Sequence, residues 1–458
     1  MRKTLSLALL LAAPSAAQTP QPEPYQRAIA AGYKALTLCS AVFNARRTQA
    51  QVEADELRGI YPEYDALVSR LPATIRDKVF TGMVTVPFDA DLPPRAANWH
   101  YRAGCTIAPI GAKPDLLTIA NFRVHPAAFH ARFKPDPRPW PMGDAGIAPR
   151  SSQPLTAAVA RAFDRAAYGQ RSETIGVVVL QDGQVVAERY RDGFGPLTSN
   201  RTWSVAKSIS GTLIGMARLD PSRPATLPEW RQPADPRAAI TLDNLLRMAS
   251  GLHSDTAGNR TDAIYFGGTA VTEQATGWPL EAKPGTRFRY ANNDTLLAIR
   301  ALRAQLGDER YGRFPGAALF APLGMAHTVA ERDWRGDYIL SSQVWSTARD
   351  LARLGQFWLQ GGVWQGKRLL PEGWMRYMTT PSGPQPSEGP GYGATLWLFG
   401  PKQGLPEGSY AAQGNRGQYV MVIPSRRLVI VRRGEDPGAA RFDIAKFSAD
   451  IARALPSG

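Results

Sequence analysis

In this 458-residue chain, the side chains whose spacing best fits a catalytic pair are a serine and a lysine, Ser204 and Lys207. Residues three apart on a helix share one face, and the apolar and small residues that follow predict a mostly buried helix beginning at Ser204. A serine hydroxyl is a weak nucleophile until a base takes its proton, and a lysine held away from water loses enough pKa to be that base. The pair therefore indicates a nucleophile with its base, although an ordinary helix whose lysine reaches solvent has the same spacing.

A tyrosine and an asparagine, Tyr290 and Asn292, follow a Pro-Gly-Thr turn in a predicted loop. Alternation along an extended segment would point both side chains in one direction. A tyrosine beside a lysine ammonium is expected to lose its proton more easily, so that it acts as a general base and later protonates a leaving group. An asparagine amide can orient both a lysine and a substrate carbonyl. Taken alone, this pattern is typical of a surface turn.

Together the two motifs resemble the penicillin-recognising serine hydrolases, in the branch that holds class C β-lactamases, related carboxylesterases and 6-aminohexanoate-dimer hydrolases. Three further segments resemble the same family in the same order, at residues 240–252, 284–292 and 346–351. The resemblance extends from about residue 150 to residue 455. It implies that Ser204 is a nucleophile whose proton is managed by Lys207 and Tyr290, and that neither a metal nor an organic cofactor takes part.

The third motif of that family, usually Lys-Thr-Gly or His-x-Gly on a strand, reads Ala412-Gln413-Gly414 here. The glycine suits close approach of the strand to a substrate. The resemblance implies that the N–H of Asn415, together with that of Ser204, binds the oxyanion of an acyl-transfer intermediate. A cation or imidazole is absent at Ala412, and neighbouring Arg416 is a candidate to replace it. This departure disfavours efficient β-lactamase or carboxypeptidase activity more than hydrolysis of a less acidic ester or amide.

The elements that must position these residues predict an α+β fold. Two apolar runs around a Gln-Asp-Gly turn, at residues 175–180 and 184–190, predict a hairpin, and residues 418–431 predict another near the end. Helical patterns occupy residues 154–167 and 440–455 and most of residues 204–362. The order fits a β-lactamase/transpeptidase-like architecture, in which an antiparallel sheet is flanked by the terminal helices and carries a helical insertion.

The residues before this domain divide into two predicted parts. Residues 1–17 combine a basic start, a short apolar run and small residues, which is typical of a cleavable signal peptide. Residues 18–145 form an extension of mixed helical and irregular character, and a proline-rich stretch at residues 133–141 separates it from the domain at residues 146–458. In an exported protein, Cys39 and Cys105 are expected to form a disulfide, with two buried free thiols as the alternative.

Several kinds of partner are not predicted. The net charge of +15 arises from arginines spread along the chain and not from a nucleic-acid-binding motif. After the N-terminus we found no stretch long and apolar enough for stable membrane insertion. Two cysteines and five histidines give no metal-ligand spacing, so no metal site is expected. His253 either lines the substrate cleft or has a structural role.

These observations predict a periplasmic or secreted serine hydrolase that cleaves a small-molecule ester or linear amide through an acyl-enzyme on Ser204. One alternative is a β-lactamase or a D-alanyl-D-alanine carboxypeptidase of the penicillin-binding proteins. A second alternative, from another class, is a non-catalytic cell-envelope binding protein that kept the fold. The sequence does not predict the oligomeric state or the acyl group.

Overall fold

The computed structural model describes residues 23–59, 61–78, 81–115, 134–149, 152–232, 234–254, 261–438 and 440–456. The predicted signal peptide at residues 1–17 lies outside the described residues.

Thirteen α-helices lie in the described part of the chain. They are α1 (Pro24–Ala45), α2 (Gln49–Asp55), α3 (Pro62–Val68), α4 (Gln153–Arg161), α5 (Val205–Met216), α6 (Leu242–Leu246), α7 (Asp262–Tyr265), α8 (Val271–Gln274), α9 (Asn292–Leu306), α10 (Asp308–Phe314), α11 (Ala348–Leu359), α12 (Trp374–Thr379) and α13 (Ile444–Ala454). Side-chain oxygens cap the N-termini of α4, α6, α11 and α13, at Ser152, Thr241, Thr347 and Asp443.

The strands, in chain order, are β1 (Thr74–Lys78), β2 (Thr81–Val86), β3 (Arg95–His100), β4 (Gly104–Ile107), β5 (Thr174–Gln181), β6 (Gln184–Tyr190), β7 (Asn200–Arg201), β8 (Val329–Ala330), β9 (Val344–Ser346), β10 (Val363–Trp364), β11 (Lys367–Arg368), β12 (Gly391–Tyr392), β13 (Trp397–Phe399), β14 (Ser409–Gly414), β15 (Gln418–Ile423) and β16 (Leu428–Gly434).

The main sheet is antiparallel, with seven strands in the order β12-β13-β14-β15-β16-β5-β6. The first predicted hairpin therefore pairs with the last one. Side chains alternate across a strand, so Val178 and Leu180 face one apolar core while Val177 and Val179 face another. Because both faces are covered, β5 reads as a continuous apolar run.

Helices cover the two faces of this sheet. The helices α4 and α13 pack on each other and on the sheet from one side, and α5 and α11 contact it from the other. The remaining helices between β6 and β12 form the predicted helical insertion. The expected α+β architecture, an antiparallel sheet flanked by the terminal helices of its domain, is confirmed.

The N-terminal extension contains a second antiparallel sheet, ordered β1-β2-β3-β4, against which α1 packs. The expectation of helical and irregular structure missed this sheet, because its strands are short and, apart from β2, are not rich in β-branched residues. Cys39 on α1 and Cys105 on β4 form the expected disulfide, with their Cα atoms 6.1 Å apart.

The extension shares one apolar core with the rest of the chain. A Cβ on Gly32 of α1 would lie 2.0 Å from the carbonyl oxygen of Phe266, so only glycine permits this approach. The ring of Tyr33 lies 4.8 Å from that of Phe266, and Arg95 donates to the Phe266 carbonyl at 2.8 Å. The segment is thus packed onto the rest of the chain.

Among the described residues, α1 is the one helix long and apolar enough to cross a membrane, so the expectation of no such stretch after the N-terminus is wrong on length and composition. However, 94% of its apolar window is buried inside the protein. The helix therefore has the environment of a core helix.

Candidate active site

A sharp turn places Ser204 at the N-terminus of α5. Strand β7 ends at Arg201, and Trp203 then adopts a left-handed backbone conformation with φ of 50°. This region is disfavoured for a bulky residue, and the Arg201 guanidinium stacks 3.8 Å above the Trp203 ring. Ser204 is the N-cap residue of α5 and is partly exposed. Its hydroxyl is therefore presented at the mouth of a buried helix.

Lys207 lies one turn further along and is only 1% exposed. Its Nζ lies 3.0 Å from Ser204 Oγ and 3.0 Å from the carbonyl oxygen of Ser341, and it also contacts Asn292 Oδ1. All three partners are uncharged. Burial lowers the pKa of Lys207 to about 7, because no neighbouring carboxylate offsets the loss of hydration. A substantial fraction of the lysine is consequently neutral at physiological pH.

A neutral lysine fits these three contacts. It has two N–H donors and one lone pair. If the donors serve Asn292 Oδ1 and the Ser341 carbonyl, the lone pair faces the Ser204 hydroxyl, which then donates its proton to Nζ. The geometry can therefore support proton transfer from serine to lysine.

Tyr290 also reaches the serine. Its hydroxyl forms a hydrogen bond with Ser204, and its ring centroid lies 5.0 Å from Lys207 Nζ. Removal from water raises the pKa of Tyr290, and the hydrogen bond to Ser204 only partly opposes this effect. The predicted lowering of the Tyr290 pKa is therefore wrong, because burial keeps the phenol protonated, whereas the pKa of Lys207 is lowered as expected. Tyr290 is equipped to donate a proton and Lys207 to accept one.

Asn292 is the first residue of α9 and is buried. Besides accepting from Lys207, it donates through Nδ2 to Thr261 Oγ1 at 3.3 Å. The predicted alternation is correct, because Tyr290 and Asn292 both point toward the Ser204–Lys207 pair. The amide orients the lysine as expected, while its own two ends are bonded within the protein.

Gly414 ends β14 directly beside the start of α5. A Cβ at this position would lie 2.4 Å from the Thr202 carbonyl oxygen and 3.1 Å from the Ser204 nitrogen. Only glycine permits this approach, and Asn415 follows immediately at the strand end. The residues predicted to supply the two oxyanion N–H groups, Ser204 and Asn415, are therefore brought together.

Arg416 does not offer a cation to a substrate. Its guanidinium contacts the Glu435 carboxylate and donates to the carbonyl oxygens of Asp436 and Asp55 at 3.1 and 2.8 Å. The side chain is 5% exposed. The hypothesis that it replaces the missing cation is not supported, because its donors are used by protein groups. Ala412 itself is fully buried.

Three contributors escaped the sequence analysis. The Ser341 carbonyl binds Lys207 through the backbone, so no residue type signals it. Tyr265 is buried and shares a hydrogen bond of 2.6 Å with the Oγ of the same Ser341. An aromatic cluster surrounds Tyr290, with Tyr392 and Trp397 at centroid distances of 6.1 and 5.4 Å. These aromatic residues lie more than 100 positions along the chain from Tyr290, which no local pattern reveals.

Of the two interpretations of His253, its contacts favour a structural role. Its Nδ1 contacts the Glu281 carboxylate, and its ring lies 5.0 Å from that of Trp278. A surface depression of about 420 Å³ lies nearby, lined by residues 232, 234–237 and 279–280, and includes none of the predicted site residues. Within the described ranges, no group of three or more histidine, cysteine, aspartate or glutamate side chains is arranged to hold a metal ion.

Known proteins share sequence similarity with this chain. The family model described as Beta-lactamase matches residues 159–445. The 6-aminohexanoate-dimer hydrolase of Paenarthrobacter ureafaciens is 28% identical over 307 residues, which are 58% of this chain and 73% of that protein.

Solved structures show the same fold at low sequence identity. A Bacillus anthracis protein provisionally assigned as a 6-aminohexanoate-dimer hydrolase has a TM-score of 0.51 at 23% identity, covering 61% of this chain and 77% of that one. A class C β-lactamase in complex with cefoxitin has a TM-score of 0.50 at 14% identity, covering 66% and 98%.

Proposed function

The chain belongs to the Beta-lactamase family, and we propose that it is a serine hydrolase that cleaves an ester or a linear amide through an acyl-enzyme on Ser204. The observation that carries this proposal is the contact of 3.0 Å between Ser204 Oγ and a buried Lys207 whose hydrogen-bond partners are uncharged. A scaffold without catalysis gains nothing from a desolvated amine, so the contact argues against a non-catalytic envelope-binding protein.

Acylation begins when neutral Lys207 accepts the proton of Ser204 as Oγ bonds to the substrate carbonyl carbon. The N–H groups of Ser204 and Asn415 stabilise the negative charge on the former carbonyl oxygen. The bond to the leaving alcohol or amine then breaks. The leaving group takes a proton from the Lys207 ammonium, either directly or through the Tyr290 hydroxyl, which Lys207 then reprotonates. The serine ester and the released product are left, and Lys207 is neutral again.

Deacylation reverses these proton movements. Water gives one proton to Lys207 as its oxygen adds to the ester carbonyl, and Ser204 regains a proton when the acid departs. The same residues therefore serve both halves of the reaction. In each half Asn292 and the Ser341 carbonyl hold Nζ in place.

The absence of a cationic side chain at Ala412 indicates which substrates the site would disfavour. Ala412 presents a buried methyl group where a relative with Lys-Thr-Gly has a lysine, and Arg416 is bonded to Glu435 and to backbone carbonyls. Substrates whose recognition depends on a carboxylate beside the scissile bond, such as β-lactams and D-alanyl-D-alanine peptides, are thus disfavoured. We propose neutral esters or linear amides instead, in line with the relative from Paenarthrobacter ureafaciens.

A substrate panel combined with active-site labelling tests this function. Purified protein is assayed with p-nitrophenyl acetate and butyrate, the linear 6-aminohexanoate dimer and nitrocefin, and Ser204 is labelled with a fluorophosphonate. We expect ester or amide turnover, labelling at Ser204, and loss of both in Ser204→Ala. Dominant nitrocefin turnover would favour the β-lactamase alternative, and an unlabelled Ser204 with no turnover would favour the binding protein.

We also propose that the protein is exported, because the Cys39–Cys105 disulfide is typical of oxidising compartments and residues 1–17 resemble a signal peptide. N-terminal sequencing of the protein recovered from periplasm or medium should begin at Gln18. Recovery of protein starting at Met1 from the cytoplasm alone would contradict export.

A further inference from the structure

The loop that carries Asn415 has an unusual backbone at the next residue. Arg416 adopts the left-handed region with φ of 56°, which a non-glycine residue holds only when its surroundings impose it. Its carbonyl oxygen accepts from the Asp436 N–H at 3.3 Å and from Gln418 Nε2 at 3.1 Å. These bonds tie the loop to β15 and to the chain that follows β16.

The side chain of Arg416 ties the same loop to the N-terminal extension. One terminal nitrogen donates to the carbonyl oxygen of Asp55 at 2.8 Å, and lies 3.4 Å from that of Arg58. Asp55 ends α2, and the carbonyl oxygens at a helix C-terminus carry partial negative charge that favours a cation. The same nitrogen also donates to the Glu435 carbonyl oxygen at 2.9 Å, and the other two nitrogens bind the Glu435 carboxylate and the Asp436 carbonyl oxygen.

The end of α2 is itself fixed by ion pairs. Arg47, which is buried, contacts the carboxylates of Asp55 and Glu56 at 2.6 Å each. Glu56 also lies 3.4 Å from the amide of Asn200, four residues before Ser204. Contacts thus run without a gap from Arg47 through the end of α2 to Arg416, which adjoins Asn415.

We propose that the N-terminal extension completes the catalytic centre by positioning the N–H of Asn415, with Arg416 as the positioning residue and the end of α2 as its anchor. This inference rests on the proposed acyl-enzyme function, in which that N–H binds the oxyanion. An oxyanion donor contributes to rate only where it meets the developing charge. A displacement of about 1 Å costs roughly 100-fold in rate. The extension therefore sets catalytic rate in addition to stability.

The first test replaces Arg416 with lysine in the full-length protein. Lysine keeps the charge but lacks the planar fork that spans Asp55 and Glu435. Hydrolysis of p-nitrophenyl acetate is measured per Ser204 labelled to completion by a fluorophosphonate. We expect kcat to fall by about 10- to 100-fold with KM within about twofold and an unchanged acid limb of the pH profile, since Lys207 is untouched. Arg427→Lys is the matched control, because Arg427 is an exposed arginine with φ of 46° at the opposite end of β15.

The second test acts from the extension alone. Arg47→Lys should lower kcat per labelled serine, and its combination with Arg416→Lys should cost less than the product of the two single effects, because both act through one contact. Arg27→Lys is its control, since Arg27 pairs with Asp89 inside the extension. The Arg47→Lys variant tests the positioning role even if Arg416→Lys fails to fold.

The outcomes separate the two proposals. A kcat per labelled serine within twofold of wild type in both Arg416→Lys and Arg47→Lys would overturn the positioning role and leave the acyl-enzyme intact. If kcat per labelled serine is unchanged but a smaller fraction of the protein is labelled, the contact only stabilises the fold. That result would also overturn the positioning role. Wild-type protein that is not labelled at Ser204 would overturn both proposals.

Discussion

The protonation state of Lys207 is the feature on which the chemistry of this site depends. An ammonium group buried without a counter-ion is unfavourable, and here its neighbours are a hydroxyl, an amide oxygen and a backbone carbonyl. A carboxylate in any of these positions would have kept the lysine charged and unable to accept a proton. The uncharged surroundings are therefore what would allow Lys207 to act as the base in the proposed mechanism.

Replacement of Lys207 by arginine should remove this base while keeping a long cationic side chain. A guanidinium does not deprotonate in proteins, and loss of a general base costs about 100- to 10,000-fold in rate. We expect kcat for p-nitrophenyl acetate to fall within that range for Lys207→Arg and for Lys207→Met. Lys402→Met, at an exposed lysine, is the control and should retain wild-type activity. Retention of more than a tenth of the activity by Lys207→Arg would contradict the role of this amine.

Among individual residues, the sequence predicted which side chains meet better than it predicted their protonation states. Ser204, Lys207, Tyr290 and Asn292 meet because each lies at the start of a helix or in the loop beside one, where spacing and patterning are informative. The protonation state of Tyr290 was predicted wrongly, because its pKa depends on burial that arises only after folding. The Ser341 carbonyl was beyond prediction, since any residue type offers one.

At the scale of elements, the site depends on how closely β14 passes the N-terminus of α5. Gly414 is the point of contact, and its missing side chain leaves room for the Thr202 carbonyl and the Ser204 nitrogen. The sequence indicated this strand through its glycine and its position before the last hairpin. The main sheet was predictable because continuous buried apolar runs define β5, β15 and β16, whereas no strand of the small sheet in the extension has a continuous apolar run.

A Gly414→Ala variant tests this close approach. The added methyl group would lie 2.4 Å from backbone, so the strand or the turn must move. Overpacking of this kind costs about 1–3 kcal/mol of stability, and displaced oxyanion donors should lower kcat by about 100-fold. Thermal unfolding and ester hydrolysis measure the two effects.

Gly277→Ala is the matched control for that variant, because a Cβ at Gly277 meets nothing within 4 Å. It should preserve both activity and melting temperature. Wild-type kcat in Gly414→Ala would mean that the strand end takes no part in catalysis.

Across the whole molecule, Glu331 joins the extension to the rest of the chain. Its Oε1 accepts from Ser40 Oγ at 2.7 Å, from Asn44 Nδ2 at 2.9 Å and from the Cys105 N–H at 2.9 Å, all three in the extension. Burial raises the pKa of Glu331 to about 7, although these hydrogen bonds oppose the shift. The packing of the extension is therefore sensitive to proton uptake at this carboxyl.

The sign of that sensitivity follows from linkage. Between about pH 4.5 and 7 the folded protein holds a proton on Glu331 that the unfolded chain has released, so this group's stabilising contribution is complete below that window and declines as pH rises through it. Glu331→Gln mimics the protonated carboxyl and lacks this dependence. We expect the melting temperature of the variant relative to wild type to increase from pH 4.5 to 7 and then to level off. A difference that stays constant across this range would show that Glu331 is already ionised.

The extension was the part of the molecule least predictable from sequence. The even cysteine pair indicated the disulfide, but the shared core requires residues such as Gly32 and Phe266, which lie more than 200 positions apart. Long-range contacts of this kind leave no periodic signal within a local window. The packing of the extension onto the catalytic part therefore became apparent only in the folded molecule.

The pH dependence of Ser204 acylation tests the account most directly. The rate constant for fluorophosphonate labelling of Ser204 is measured from pH 5 to 9 in wild type and in Lys207→Arg, with unfolding monitored at each pH. If Lys207 is the base, the rate should rise with an apparent pKa near 7, set by its amine, and should be low without this limb in Lys207→Arg. A wild-type rate that is flat across this range, or an equal limb in the arginine variant, would contradict it.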